Sequence, residues 1–224
     1  MHLKMLEGQI SGQFTVSACG PLLIRSGRAG RLRTDLSDTC FLTGDSAEGR
    51  TCVIPGASLK GVIRSYSVQN GLLTAEEADG LFGSRTPLRG RLSLSDAYAD
   101  CGTVRLIRRS NTAIGAASQR VQAGSLNTVE TVSSGDFPCS FRLINPTDRE
   151  VRAFLAALDA MNRHILPIGG RTGSGYGRVQ ISRFRMQAVG GFTEALRPVT
   201  AAAYDSLEQA LAAYRKEDAD AGEA

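Results

Sequence analysis

The stretch Val53–Ser65, V-I-P-G-A-S-L-K-G-V-I-R-S, constrains the fold most, because two backbone periods meet inside it. Cys52, Val53 and Ile54 form an extended apolar approach that the breaker pair Pro55-Gly56 ends. Beyond the break, Leu59, Val62, Ile63 and Tyr66 recur at i, i+3, i+4 and i+7, the spacing of one helix face. Ser58 is the expected N-cap. Lys60 and Arg64 are four apart and share one flank of that helix. Backbone N–H groups at a glycine-led helix start, with cations beside them, suit an anion such as phosphate. An ordinary amphipathic helix with two solvated cations accounts for the same residues, so this segment leaves both readings open.

A second stretch tips the balance. Gly169–Arg178 reads G-G-R-T-G-S-G-Y-G-R, five glycines in ten residues. Gly170, Gly173 and Gly175 are interleaved with Arg171, Tyr176 and Arg178. That composition lets a backbone approach a polyanion closely. It is not a P-loop, which needs G-x-x-x-x-G-K-[ST] ahead of a helix; here Arg178 and Val179 lead into strand-like alternation. Ser174–Ile181 matches about half of the RNA-recognition octamer, but Arg178 and Ile181 stand where aromatics belong. Tyr176 is left as the ring to stack on a base.

The rest of the chain falls into a simple order. Gln9–Cys19, Arg91–Ala99, Phe137–Ile144 and Arg178–Arg185 alternate as strands. Helices are expected after Gly56, over Thr74–Leu81 with Thr74 as cap, and from Asp148 onward. Strand, helix, strand, strand, helix, strand is the α+β, ferredoxin-like (βαββαβ, RRM-like) pattern. The expected core covers about 9–19, 52–70, 91–99 and 137–185 of one domain, 1–224. Residues 27–50 read as a long loop, and about 199–216 as a C-terminal helix. Between Arg105 and Gly135 apolar residues are few, and Arg105, Arg108, Arg109 and Arg120 occur among Ser, Gly, Asn and Thr. This thumb-like insertion reads as disordered or as an extended hairpin reaching from the core.

Composition bounds the partners. The net charge is +4, but residues 1–190 carry +8 and residues 191–224 carry −4. Of 26 basic residues 23 are arginine, whose fork suits phosphates and stacks on bases. The five cysteines form no C-x-x-C pair and lie far from His2 and His164, which argues against zinc. The odd number of cysteines and the lack of a signal peptide point to a reducing cytoplasm. No apolar run reaches membrane-spanning length, so no membrane partner is expected.

Together the P-G helix entry and the glycine-rich stretch resemble the RAMP superfamily of CRISPR proteins, with Ala57 in place of one serine. Phe82-Gly83 followed by Leu92–Ala97 is similar to the family's segment after the first helix. Gly124–Phe137 is similar to the thumb-return segment of backbone subunits in type III CRISPR effector complexes, with Glu130, Gly135 and Phe137 at the matching positions. The resemblance implies a subunit that stacks with copies of itself and with other effector subunits along a guide RNA (crRNA). Its RNA-binding residues would be Ser58, Lys60, Arg64, Arg108, Arg109, Arg120, Gly170, Arg171, Gly173, Gly175, Tyr176 and Arg178. It further implies an endoribonuclease that cleaves complementary target RNA with a loop aspartate and a divalent metal such as Mg2+. Asp38, ahead of Cys40-Phe41-Leu42, fits the catalytic and metal-binding position, and Asp35 is the alternative. A non-catalytic scaffold that only holds guide RNA, and a guide-processing endoribonuclease, are the competing readings. The expected geometry puts the Lys60/Arg64 flank and the glycine-rich stretch side by side as one phosphate-tracking surface.

Overall fold

The structure, a computed structural model, describes residues 8–25, 40–84, 89–111, 127–189 and 203–220. Strand β1, Gln9–Ala18, is followed by the hairpin β2, Thr43–Ser46, and β3, Gly49–Ile54. Helices α1, Gly56–Gln69, and α2, Ala75–Phe82, come next, then the short strands β4, Leu92–Leu94, and β5, Ala97–Tyr98. Strands β6, Arg105–Asn111, and β7, Asn127–Ser134, lead into β8, Asp136–Ile144, and helix α3, Asp148–Asn162. The chain closes with β9, Val179–Val189, β10, Ala203–Tyr204, and α4, Leu207–Asp220.

One five-stranded sheet carries the molecule, in the order β10-β9-β1-β8-β4, and every neighbouring pair is antiparallel. Alternation decides its two faces. Ile10, Phe14 and Val16 of β1 and Phe137, Phe141 and Leu143 of β8 turn inward. There they meet Leu59 and Ile63 of α1 and Val151, Phe154 and Leu158 of α3 in one core. Phe141 packs 4.9 Å from the Phe154 ring and 6.1 Å from Phe184, centroid to centroid. A smaller sheet, β2-β3-β5, joins this body. No helix among the described residues is long and apolar enough to cross a membrane.

Several sequence expectations need correction. The stretch read as one loop over 27–50 contains the β2–β3 hairpin, paired from Thr43↔Cys52 to Ser46↔Gly49. The second expected strand is split, because β4 pairs with β8 while β5 turns away to pair with β3. Residues 203–204 of the expected C-terminal helix are strand, and α4 starts only at Leu207. The cap of α3 is Thr147, one residue before Asp148, in a reciprocal capping box with Glu150; Thr74 and Glu77 cap α2 in the same way, as expected.

The start of α1 is the instructive correction. Its N-cap is Pro55, with no side-chain cap, and Ser58 lies inside the helix. The Gly56 N–H donates to Asp96 Oδ1 at 2.8 Å. A protein carboxylate thus holds the position where an anion was expected. Gly56 is glycine for contact: a Cβ there would lie 2.4 Å from the Leu94 carbonyl oxygen and 2.8 Å from that of Ser95. Gly61, in the same helix, is exposed and would meet nothing within 4 Å. Gly56→Ala should therefore cost about 1–3 kcal/mol through overpacking against fixed backbone. Gly61→Ala should stabilise by about 0.5–1 kcal/mol, since glycine in an exposed helix interior is unfavourable. Thermal melts of the two variants, shifted in opposite directions, check this.

Candidate nucleic-acid interface

Residues 19–25 follow β1 as an irregular strap, and this strap builds the site. On one side it holds the glycine-rich loop. The Cys19 N–H donates to the Arg178 carbonyl at 3.0 Å, Gly177 to Pro21 at 2.9 Å and Gly170 to Leu23 at 2.8 Å. On the other side, Leu22 and Val132 of β7 exchange both backbone hydrogen bonds, at 2.8 and 3.0 Å. Leu22 and Leu23 are fully buried. The strap therefore pins the root of the β6–β7 hairpin to the glycine loop.

The loop's glycines divide by what they do. Gly169 and Gly177 have φ of +83° and +88°, and a Cβ would fall 2.4 Å from the Leu23 oxygen and 2.2 Å from the Ile168 oxygen. Both are demanded by the fold. Gly175 closes a short 3-10 turn, Thr172–Ser174, in a left-handed conformation. Gly173 lies inside that turn with no positive φ and nothing within 4 Å of a Cβ. Gly170 faces Arg25, whose Nε lies 3.6 Å from the Cβ position. Gly173 is thus a glycine that neither turn geometry nor contact requires, in an exposed loop beside cations.

Those cations are Arg25, Arg109, Arg171 and Arg178. Arg25 and Arg178 are exposed at the two ends of the hydrogen-bonded strap, and neither makes an ion pair among the described residues. Arg171 sits in the left-handed region at φ +60° beside Gly170. Arg109 of β6 places its guanidinium carbon 5.9 Å from the Tyr176 ring centroid. Arg108, its neighbour, points to the opposite face and is paired in register with Glu130.

Tyr176 departs from its expected role. It is 5% exposed and packs with Leu23 and Val129 in a small apolar cluster of its own. Its ring supports the hairpin root and Arg109 rather than offering a stacking face. Likewise the insertion is no simple excursion. Residues 105–111 pair with 127–134, and Val129, Thr131 and Val132 are fully buried. Arg120 lies outside the described residues.

The Lys60/Arg64 flank also departs from expectation. Arg64 Nη2 binds Asp79 Oδ1 at 2.6 Å and ties α1 to α2. Lys60 is half-buried, and burial lowers its ammonium pKa. The flank of α1 that does meet the loop is the opposite one. Ser58, Gly61 and Ser65 line a groove of about 690 Å³ whose far wall is Ile165, Leu166 and Gly169. The two motifs are neighbours through this groove and not through Lys60 and Arg64, which do not line it.

Asp35 and Asp38 lie outside the described residues. The stems that carry them are described: the Leu42 N–H donates to the Ile24 carbonyl at 2.8 Å, and Phe41 is buried with its ring 6.3 Å from Phe137. The aspartate-bearing stretch thus leaves and rejoins the fold beside the glycine loop. Among the described residues no three His, Cys, Asp or Glu side chains form a metal-binding group. Sequence reasoning missed Arg25 and the strap. The apolar run Leu22-Leu23-Ile24 after Gly20-Pro21 was the available signal, since three consecutive apolar residues in an irregular segment need burial.

A glycine-rich loop bordered by Arg171 and Arg178, with Arg25 and Arg109 beside it, thus lies next to the hairpin root of a mixed α and β fold. The chain belongs to the RAMP superfamily, whose family model matches residues 15–180. Comparison with curated protein sequences finds no match. Among solved structures, a chain in the cryo-EM structure of the type III-B Cmr-beta complex bound to cognate target RNA is similar, at TM-score 0.56 and 13% identity. The similarity covers 77% of this chain and 96% of that one. A chain of the apo-state Cmr-beta structure is similar at TM-score 0.55 and 13% identity, covering 76% and 96%. At this identity the likeness establishes the fold.

Tyr176→Ala should cost about 3–5 kcal/mol, the usual penalty for emptying a buried aromatic site. Arg109→Ala removes only a cation–π contact at an exposed position, worth about 0.5–1 kcal/mol. Denaturant unfolding of both variants tests whether the ring is structural; equal small losses would return Tyr176 to the list of RNA-stacking residues.

Proposed function

We propose that the chain is a backbone subunit of a type III CRISPR ribonucleoprotein that holds guide RNA along the glycine loop. The observation that carries this is the convergence of Arg25, Arg109, Arg171 and Arg178 on a loop that keeps an uncalled-for glycine, Gly173. Arginine forks and bare backbone N–H groups bind phosphates without reading bases. Membership of the RAMP superfamily and the fold shared with Cmr-beta chains support the same reading. The chain order β1, α1, β4, β8, α3, β9 around the main sheet supports a ferredoxin-like reading of the fold. Partners in this reading are crRNA, complementary target RNA, other effector subunits and further copies of the chain.

Cleavage of a paired target is the second part of the proposal. It assigns the reaction to Asp38, with Asp35 as the alternative, and to a divalent metal such as Mg2+ that would lower the barrier at a scissile phosphate. The hydrogen bond between Leu42 and Ile24 supports it, because the residues that flank the aspartate-bearing stretch lie next to the glycine loop.

Two measurements test the two parts separately. Gly173→Ala should leave stability within about 0.5 kcal/mol, the range of surface changes away from special features, yet weaken guide-RNA binding. Arg171→Gln with Arg178→Gln should lower the slope of log affinity on log salt by about 0.7 per lost contact to a single strand. An unchanged slope in that variant means the loop does not touch RNA. Asp38→Asn in the assembled complex should keep guide and target binding and abolish metal-dependent cleavage. Wild-type cutting by both Asp38→Asn and Asp35→Asn means the subunit is a scaffold.

A further inference from the structure

The face of the five-stranded sheet away from the helices is predominantly polar, and it is exposed at Gln13, Arg142, Arg183 and Arg185 while Thr15 is buried. Along β1 the outward positions are Ser11, Gln13, Thr15 and Ser17, all polar. Across the neighbouring strands, Arg142 of β8 pairs in register with Ser11, and Arg185 of β9 with Gln13. Both arginines are exposed.

Between them β9 carries a bulge: three residues of β1, Gln13 to Thr15, oppose four of β9, Arg185 to Ser182. The extra residue is Arg183, at φ +49°, a left-handed conformation that a non-glycine side chain rarely takes. Bulges re-aim side chains, and strained positions of this kind cluster at functional sites. Here the bulge turns Arg183 over a depression of about 370 Å³, whose walls combine the polar Gln13, Ser95 and Ser140 with the apolar Phe14 and Pro138. The Arg183 side chain is 70% exposed, and Asp136 stands 3.8 Å away, beyond hydrogen-bond range. Arg185 is held no better, 3.7 Å from Asp205. Arg142 makes no ion pair among the described residues.

We propose that this open sheet face, centred on the depression under Arg183, is a second phosphate-binding surface for single-stranded RNA, distinct from the glycine loop. That the ligand is RNA rests on the reading above. The scarcity of exposed aromatic and long aliphatic side chains disfavours a protein, which needs anchors such as Tyr, Trp or Leu: beside Pro138 and the Asp136 carboxylate, this face presents hydroxyls, amides and three guanidinium groups. A nucleic-acid backbone needs only such donors. With no ring to stack on a base, binding here is indifferent to sequence.

The test uses the full chain and a single-stranded oligouridylate, with affinity measured across a salt series. Arg142→Gln, Arg183→Asn and Arg185→Gln are combined in one variant, asparagine being chosen because it tolerates a left-handed backbone. The expected result is weaker binding and a salt slope lower by about 2, at about 0.7 for each of three contacts. The loss should add to that of the Arg171→Gln, Arg178→Gln variant. Full affinity and slope in the sheet-face variant, with loss confined to the loop variant, overturns this inference and leaves the glycine-loop reading intact. Loss in neither variant overturns both. Unchanged RNA binding with altered sedimentation makes the face a contact between copies, and the inference falls. If the triple variant does not fold, arginine modification of the wild-type chain decides: RNA should protect Arg142 and Arg183 from phenylglyoxal, and equal modification with and without RNA rejects the surface.

Discussion

The strap over residues 19–25 is the constraint on which the rest depends. Apart from the single β-bridge of Leu22 to Val132 it has no regular structure, yet its backbone is spent on both sides, toward the glycine loop through Cys19, Pro21 and Leu23 and toward β7 through Leu22. Buried backbone groups must find partners, and an irregular segment finds them only if its neighbours are placed for it. The glycine loop and the hairpin root are therefore fixed by the same few residues. Gly169 and Gly177 follow from this, because only a residue without a side chain lets the loop come close enough to bond.

The electrostatics follow from the same arrangement. A helix start and a glycine loop both look like anion sites in a sequence, but the fold treats them differently. At α1 the helix N-terminus is already satisfied by Asp96, and the basic flank is partly neutralised by Asp79. At the loop the cations are brought together from three separate stretches of chain, by strap, hairpin and loop. Arg109 is steadied by the Tyr176 face, which orients the guanidinium without cancelling its charge.

What the sequence disclosed was whatever depends on local periodicity. The alternation of Phe137, Cys139, Phe141 and Leu143 and the stripe from Val151 to Met161 announced β8 and α3, and Thr74 with Glu77 announced a cap. The meaning of glycine was harder to read. Pro55-Gly56 marked a turn correctly, but the cause, an approach to Leu94 and Ser95 nearly forty residues later, is a tertiary contact. Tyr176 looked like a stacking ring because its neighbours are glycine and arginine; its burial comes from Leu23 and Val129, both remote in sequence. Arg25 was invisible for the same reason, since nothing local shows that residue 25 meets residue 170. The bulge at Arg183 left no trace in the strand's pattern, because the extra residue is polar and the alternation resumes at Phe184.

The hydrogen bond between Leu42 and Ile24 has a consequence for the stretch it spans. Fourteen residues, 26–39, separate the two described stems. Bringing the ends of such a segment together costs entropy that grows as about (3/2)RT ln n. Here the strap and the Phe41 anchor meet that cost in the folding of the domain, ahead of any encounter with a ligand. A side chain carried between the stems is tethered to the fold at Ile24 and Leu42, next to the glycine loop. Its effective concentration there is set by tether length and hardly by how much protein the cell contains.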